Sequence, residues 1–410
     1  MRRIVFITSQ FPETHETFIL REFNGLERAG VPFEIVSLKA CKDKVVHPEA
    51  LGLTGRTFTV GRSPRAIAGG LGYWALHPVK SLRVLSSLVA WGLQGKVSWP
   101  AHLATWLMIG VLARRYGTRV DEVRFHSHWA TIPSTVGCLL ARTLGAPFSM
   151  TAHAWDIYRG DGLLEQKVAD AAFVVTCTGY NRRHLAQLKN GSVPGKVYLN
   201  YHGLDFSRIP WKDNYRLGSP PKVLAVGRLV EQKGFIHLVE AMAECPEPFE
   251  TTIIGSGPLH DVLVARATEL GVADRLTIIP TSTQAEVLAR MQASDVFAAP
   301  SVIASDGDRD GIPNVILEAM AVGLPVVGSH VSGIPEVVLD NQTGLAVEPG
   351  DSGALSWAIA RLCRDESLRR KVARGAHERV EKLFTIETNV DQLVGIFKGD
   401  ERDRASRQAA

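Results

Sequence analysis

Short apolar runs alternate with amphipathic segments of helical length along nearly the whole chain. This alternation constrains the fold more than any other feature of the sequence. Residues 2–8 (RRIVFIT) read as a strand, 16–30 (ETFILREFNGLERAG) as a helix closed by Gly30, and 33–39 (FEIVSLK) as a second strand. Strand-like runs return at 122–129, 147–153, 173–178 and 197–203, then at 222–228, 249–257, 276–281, 296–301, 324–329 and 344–348. The runs are short and apolar throughout rather than alternating, as strands buried on both faces are. Strand-helix alternation of this kind builds open parallel sheets with helices on both faces. One polar, Pro-rich connection, 205–222 (DFSRIPWKDNYRLGSPPK), interrupts the series. The expected fold is therefore α/β, with two Rossmann-like doubly wound parallel-sheet domains over 1–205 and 206–380. A helix over 381–400 is expected to pack back on the first domain, and 401–410 to form a disordered polar tail.

At 410 residues the chain is too long for one ordinary core. Its 45% apolar and 21% charged residues are those of a soluble globular protein. The five cysteines are scattered without a C-x-x-C pair, which suits a reducing cytosol and argues against a disulfide framework or a cysteine zinc site. The opening MRRIVFITSQFPE is too short for a signal-peptide core, so a cytoplasmic location is expected. Charge is unevenly spread: residues 1–120 carry +9 and the remainder −5, and 50–120 contains nine Lys/Arg and no Asp or Glu. Trp74, Trp91, Trp99 and Trp106 lie in that acid-free stretch. No apolar run in it reaches the ~18 residues of a spanning helix. Basic residues interleaved with tryptophan suit helices lying on an anionic membrane, at the inner face of the cell membrane. Buried helices with a basic solvent face give the same pattern. No nucleic-acid-binding module is present.

The residues with chemical potential gather where strands run into helices. In 306–336 (DGDRDGIPNVILEAMAVGLPVVGSHVSGIPE) Asp310 precedes a Gly-Ile-Pro turn, and Glu318 follows inside a helical pattern. Two acids about a helix N-terminus suit a ligand that is anionic at one end and rich in hydroxyls at the other. Upstream, Arg228 directly follows a strand and Lys233 opens a helix. Gly227 permits a tight turn there, and Gly234 a close backbone approach. Two fixed cations at such a junction can hold a diphosphate. The G-x-G of 255–257 lacks the third glycine of a dinucleotide fingerprint and reads as a tight turn. Asp306, Asp308 and Asp310 imitate a calcium loop, but its twelfth position falls on Leu317, not on Glu318. His126 and His128 share one strand face, a spacing open to metal binding but better suited to packing. His153 follows a strand in the first half, either as a structural or as a site histidine.

The combination of Asp310-x7-Glu318 in DGIPNVILEAMAVGLPVV, GRLVEQKG upstream and AHAWD in the first half resembles the retaining glycosyltransferases of family 4. The opening FPETHETFILREF resembles their bacterial exopolysaccharide, colanic-acid-type branch. The resemblance covers nearly the whole chain, most strongly 222–350 and least 40–120. It implies the GT-B fold, two such domains facing across a cleft. It implies transfer of a hexose-like unit from a nucleotide diphosphate sugar to a hydroxyl of a saccharide or lipid-linked acceptor, with retention at the anomeric carbon. Carried over position by position, Arg228 and Lys233 would bind the donor diphosphate and Glu318 the ribose hydroxyls. Asp310 would contact the sugar ring, and His153 would lie over the donor sugar. Gly227 and the Gly311, Ile312, Pro313, Asn314 turn would line the donor site. Glu16, Thr17 and His128 would stand on the acceptor side. No cofactor and no metal are expected, because the cations and the helix N-terminus take the metal's place. Two departures stand out: Asp310 is one methylene shorter than the family's usual glutamate, and Pro12 to Thr17 replaces the usual Gly-Gly loop. Rival readings are a nucleotide-sugar 2-epimerase using His126 and His128, a phosphorylase, and a non-catalytic nucleotide-sugar-binding protein.

Overall fold

The computed structural model describes residues 1–13, 16–41, 48–61, 64–94, 98–160, 162–188 and 195–409. The chain forms two compact units. The first comprises Met1–Cys177, Asn181–Gly203 and Ile386–Ala410, and the second Thr178–Tyr180 and Leu204–Thr385. Thr14 and His15 of the Pro12–Thr17 loop lie outside the described residues.

The first unit is built on seven parallel strands: β1 (Arg3–Gln10), β2 (Phe33–Lys39), β3 (Thr57–Thr59), β4 (Val123–His128), β5 (Phe148–Ala152), β6 (Val174–Thr176) and β7 (Val197–Leu199). Their order is β3-β2-β1-β4-β5-β6-β7, so the winding reverses between β1 and β4, where Phe6 pairs with His126. Every residue of β4 and β5 is buried, as helices on both faces require. The helices are α1 (Thr17–Arg28), α2 (Pro64–Leu76), α3 (Pro78–Gln94), α4 (Trp99–Tyr116), α5 (Ile132–Leu144), α6 (Ala154–Tyr158), α7 (Leu164–Asp170) and, from Asn181 onward, α8 (Gly179–Ala186). Gly145 ends α5 at φ 78°, a left-handed cap that glycine adopts without a Cβ penalty. The edge strand β3 falls inside a stretch that reads as helical in the sequence. With three residues it is too short to show a period.

The second unit carries six parallel strands: β8 (Lys222–Val226), β9 (Glu250–Ile254), β10 (Leu276–Ile279), β11 (Val296–Ala299), β12 (Val326–Ser329) and β13 (Leu345–Val347), in the order β10-β9-β8-β11-β12-β13. Helices α9 (Phe235–Glu244), α10 (His260–Glu269), α11 (Gln284–Ala293), α12 (Asn314–Val322), α13 (Ser352–Arg364) and α14 (Glu366–Leu383) accompany them. Local sequence sets their ends. Thr283 and Glu286 form a reciprocal capping box on α11, and Asp351 and Asp365 cap α13 and α14. Here the winding reverses between β8 and β11, and in such sheets ligands bind beyond the carboxyl ends at that reversal.

The last helix, α15 (Ile386–Ala409), belongs to the first unit. Ile386, Val390, Leu393 and Phe397 join the core formed by Phe6, Phe23 and Phe33. A Cβ on Gly25 of α1 would fall 2.6 Å from Val390 Cγ2, so glycine lets the two helices touch. Helix continues through Ala409, over a stretch whose polarity alone reads as a disordered tail. The reason is anchoring next to strong helix formers. The fully buried Arg124 donates to Asp400 Oδ2 at 2.9 Å, and Arg2 N donates to Glu401 Oε1 at 2.8 Å.

The acid-free stretch forms α2, α3 and α4, and among the described residues no helix is long and apolar enough to cross a membrane. Trp74 and Trp91 are buried in the core, and Trp74 stacks on Trp106 at 5.6 Å, so Trp74 and Trp91 cannot serve as interfacial anchors. Trp99 is exposed, as are Leu71, Leu76, Val79, Leu82, Leu93 and Leu103.

Candidate active site

In the second unit the chain leaves β8 through Gly227 and Arg228 and enters a single 3-10 turn, Glu231–Lys233. Each residue of that turn grips the loop that follows β11. Glu231 accepts hydrogen bonds from the Ser305 amide and hydroxyl, both at 2.8 Å. Gln232 Nε2 donates to Asp308 Oδ2 at 2.8 Å. Lys233 Nζ lies 2.9 Å from both Asp310 oxygens, and the Ser301 hydroxyl donates to Asp310 Oδ2 at 3.1 Å. The aspartates that imitate a calcium loop thus serve to shape this loop. Lys233 and Asp310, assigned by the resemblance to diphosphate and sugar, are paired with each other. Their side chains are 15% and 17% exposed, so the pair is shielded but open to a ligand.

Three glycines let the loops close up. A Cβ on Gly234 (φ 62°) would stand 1.9 Å from Pro300 O, one on Gly255 1.8 Å from Gly227 O, and one on Gly257 2.5 Å from Leu229 O. The G-x-G of 255–257 therefore serves loop-on-loop packing. A Cβ on Gly227 would meet Lys233 Cε at 3.1 Å, so the lysine stem lies across that turn. Arg228 is exposed and forms no ion pair among the described residues.

Asp310 sits in the loop and Glu318 in α12, on either side of the helix N-terminus. The N–H groups of Gly311, Ile312 and Asn314 meet no backbone acceptor among the described residues. Pro313 has no N–H and gives the turn only its shape. Asn314 Oδ1 is buried without a hydrogen-bond partner among the described residues. Glu318 is 6% exposed and accepts from Gln284 Nε2 at 2.8 Å. Donors and a positive helix end at one place, with Lys233 held beside them by Asp310, form a site for an anion.

In the first unit His153 directly follows β5 and precedes α6. Its ring is buried against Trp129 (4.5 Å between centroids), Phe18 (5.0 Å) and His202 (5.3 Å). Among the described residues neither ring nitrogen has a hydrogen-bond partner. Burial, then the neighbouring His202, His128 and His126, hold its pKa well below the ordinary value, so the imidazole is neutral. Asp156 fixes the backbone here by accepting from His153 N at 2.6 Å and from Ala130 N. Burial pushes the Asp156 carboxyl up to about 7, while Ala130 N–H, His153 N–H and Lys167 act against this. The fully buried Lys167 donates to Ala130 O and Thr131 O. Trp129 itself adopts φ 74°, a left-handed conformation that is costly for a bulky residue.

Glu16 and Thr17 lie at the start of α1. Burial raises the Glu16 pKa to about 8, with Glu13 adding to the shift and Trp129 opposing it. His128 Nε2 lies 3.1 Å from Glu22 Oε1. His126 is fully buried with both nitrogens engaged, by Ser149 Oγ at 2.9 Å and Thr151 Oγ1 at 2.8 Å. It can serve neither as a metal ligand nor as an acid/base residue, which removes the histidine pair that the epimerase reading needs. Gln284 and Lys167 complete these arrangements without any sequence signal, because their partners lie more than 30 residues away, whereas Asp156 is the acid of AHAWD and Ser301 stands nine residues before Asp310.

The family described as "Glycosyl transferases group 1" matches residues 208–379. The putative colanic acid biosynthesis glycosyltransferase WcaL of Salmonella typhimurium is 27% identical over 412 residues, covering 97% of this chain and 99% of the relative. The GDP-mannose-dependent alpha-(1-6)-phosphatidylinositol monomannoside mannosyltransferase of Mycolicibacterium smegmatis is 30% identical over 290 residues, 68% of this chain and 69% of the relative. The crystal structure of Anabaena Alr3699/HepE in complex with UDP superposes with a TM-score of 0.71 at 17% identity, over 97% of this chain and 100% of that one. With its two parallel-sheet units and the match over its second half, this chain belongs to the group 1 glycosyltransferases and has the GT-B fold.

Proposed function

We propose that the protein transfers a hexose-like unit from a nucleoside diphosphate sugar to a hydroxyl acceptor, with retention of anomeric configuration, in the assembly of a cell-envelope polysaccharide. The observation that carries this reading is the Lys233–Asp310–Ser301 constellation beside the N-terminus of α12, with Arg228 and Glu318 near it in the sequence of loops. Lys233 and Arg228 neutralise the diphosphate and the charge it gains on leaving. The free amides at Gly311, Ile312 and Asn314 hold its oxygens. Asp310, released in part from Lys233 by the phosphate, accepts from sugar hydroxyls, and Glu318 from the ribose. The departing phosphate takes the acceptor proton, so no protein nucleophile and no metal are required. His153 keeps the sugar contact that the resemblance gives it, as a neutral imidazole.

The first unit, with Glu16, Thr17 and His128, serves the acceptor in this reading, and the second serves the donor. The named activity of the mycobacterial relative and the ligand of the Anabaena protein both support a nucleotide-sugar donor, and they differ in base. The colanic acid role in the name of the Salmonella relative supports a saccharide or lipid-linked acceptor. The exposed leucines of α2 and α3 beside Arg65, Lys80 and Arg83 support contact with an anionic membrane surface at its cytoplasmic face.

The test is a panel of nucleoside diphosphate sugars incubated with membrane-extracted acceptor. One donor should release its nucleoside diphosphate only with acceptor present, and NMR of the product should show the donor's anomeric configuration. An inverted product would overturn retention. An epimerised sugar formed from donor alone would overturn transfer.

A further inference from the structure

The parallel register of the first sheet brings together three side chains that no motif connects. Ala152, Thr176 and Leu199 are paired neighbours at the carboxyl ends of β5, β6 and β7. His153 and Cys177 are the next residues along two of these strands, and His202 lies three residues beyond the third. One potential ligand atom from each lies within 4.8 Å of the others. His153 and Cys177 are buried, and among the described residues both nitrogens of the neutral His153 ring are without a hydrogen-bond partner. Phe18, stacked on His202 at 4.3 Å, and Trp129 wall the cluster with apolar surface.

We infer that His153, Cys177 and His202 form a binding site for one borderline-soft transition-metal ion of the Zn2+ class. Metal bonds of about 2.0–2.1 Å to imidazole and about 2.3 Å to thiolate place such atoms roughly 3.3–3.7 Å apart. Side-chain shifts of about an ångström therefore close the site. Two imidazoles and one thiolate select this class over Mg2+ and Ca2+, which prefer oxygen. Three protein ligands leave a fourth position for water. Binding replaces the Cys177 thiol proton with the metal and releases that proton to solvent, so affinity rises with pH. The occupied site holds the His153 lone pair and blocks its use with a sugar, so the metal inhibits transfer. That consequence rests on the transferase reading, whereas the binding does not.

The test uses the full chain with Co2+ as a spectroscopic probe. Equimolar Co2+ should give a thiolate-to-cobalt charge-transfer band and tetrahedral d–d bands, both lost on adding Zn2+. Cys177→Ser should lose the charge-transfer band, bind Zn2+ at least about tenfold more weakly, and keep its basal transfer activity and circular dichroism. His202→Ala should weaken binding similarly, as a second variant independent of the thiol. Absence of the band in the unaltered chain, or equal Zn2+ affinity in Cys177→Ser, overturns the site. Zn2+ binding without inhibition of transfer upholds the site and overturns the role of His153 instead.

Discussion

Replacing Lys233 with alanine removes one cation and leaves Asp310 with the Ser301 hydroxyl as its remaining side-chain partner. The structural cost is bounded on both sides. Exposed ion pairs are worth about 0–1 kcal/mol, and breaking a fully buried one costs about 3–5 kcal/mol. This pair is 15% and 17% exposed, and the loop stays tied by Glu231 to Ser305 and by Gln232 to Asp308. The expected loss of stability is therefore about 1–2 kcal/mol, a drop of a few degrees in midpoint. The chemical cost is larger, because the ammonium also meets charge that grows as the diphosphate leaves. Removing one such donor costs about 2.7–4 kcal/mol, or roughly 100- to 1,000-fold in turnover. Urea melts give the first quantity and steady-state release of nucleoside diphosphate the second. Asp310→Asn in the Lys233→Ala background separates the roles: it should restore stability by relieving the unpaired carboxylate, while activity stays low. A folded Lys233→Ala protein turning over within threefold of wild type would refute the reasoning, as would recovery of activity in the double variant.

Glu318→Ala should reduce kcat/KM at least tenfold, or ~1.4 kcal/mol, and raise the KM for the donor, whereas Glu318→Gln should keep the fold; steady-state kinetics on both variants checks this. The Glu16 carboxyl holds its proton more tightly in the folded chain, so its contribution to stability is full below 4.5 and is lost as pH rises toward about 8. Urea midpoints for Glu16→Gln should fall less than those of wild type between pH 5 and pH 8, and parallel curves would contradict the burial of this group. Sedimentation with anionic vesicles should weaken about tenfold per leucine when Leu76 or Leu82 is changed to Glu, and should weaken again in high salt.

The alternation of strands and helices was legible because buried parallel strands must be apolar along their whole length, as β11 is. The switch-point loops with Arg228, Lys233 and Asp310 were legible for the same reason, since each follows a readable strand, and Glu318 stands in the helix that the second loop opens. The pairing of Lys233 with Asp310 was not, because the two are 77 residues apart and nothing local predicts that they meet before any ligand does. The same holds for His153, Cys177 and His202, which converge only through the register of β5, β6 and β7. The continuation of α15 past Asp400 was not legible, because polarity suggests solvation, while the buried Arg124 that holds Asp400 lies more than 270 residues upstream. Trp74 and Trp91 show the converse: a basic, Trp-rich stretch reads as interfacial, but these rings fill a core.

The return of α15 to the first unit bears on how the chain folds as it is made. Domains usually fold from the N-terminus as they emerge from the ribosome. Here the core about Phe6, Phe23 and Phe33 lacks Ile386, Val390, Leu393 and Phe397 until the second unit has been made. The second unit, continuous from Leu204 to Thr385 apart from Thr178–Tyr180, can close first. Until then the first unit carries an open apolar groove along α1, and Arg124 lacks its bond to Asp400. Emergence of α15, rather than of the first two hundred residues, is the event that completes it. A chain stopped before Ile386 would present that groove to chaperones and proteases, even though every residue of the group 1 match would be in place.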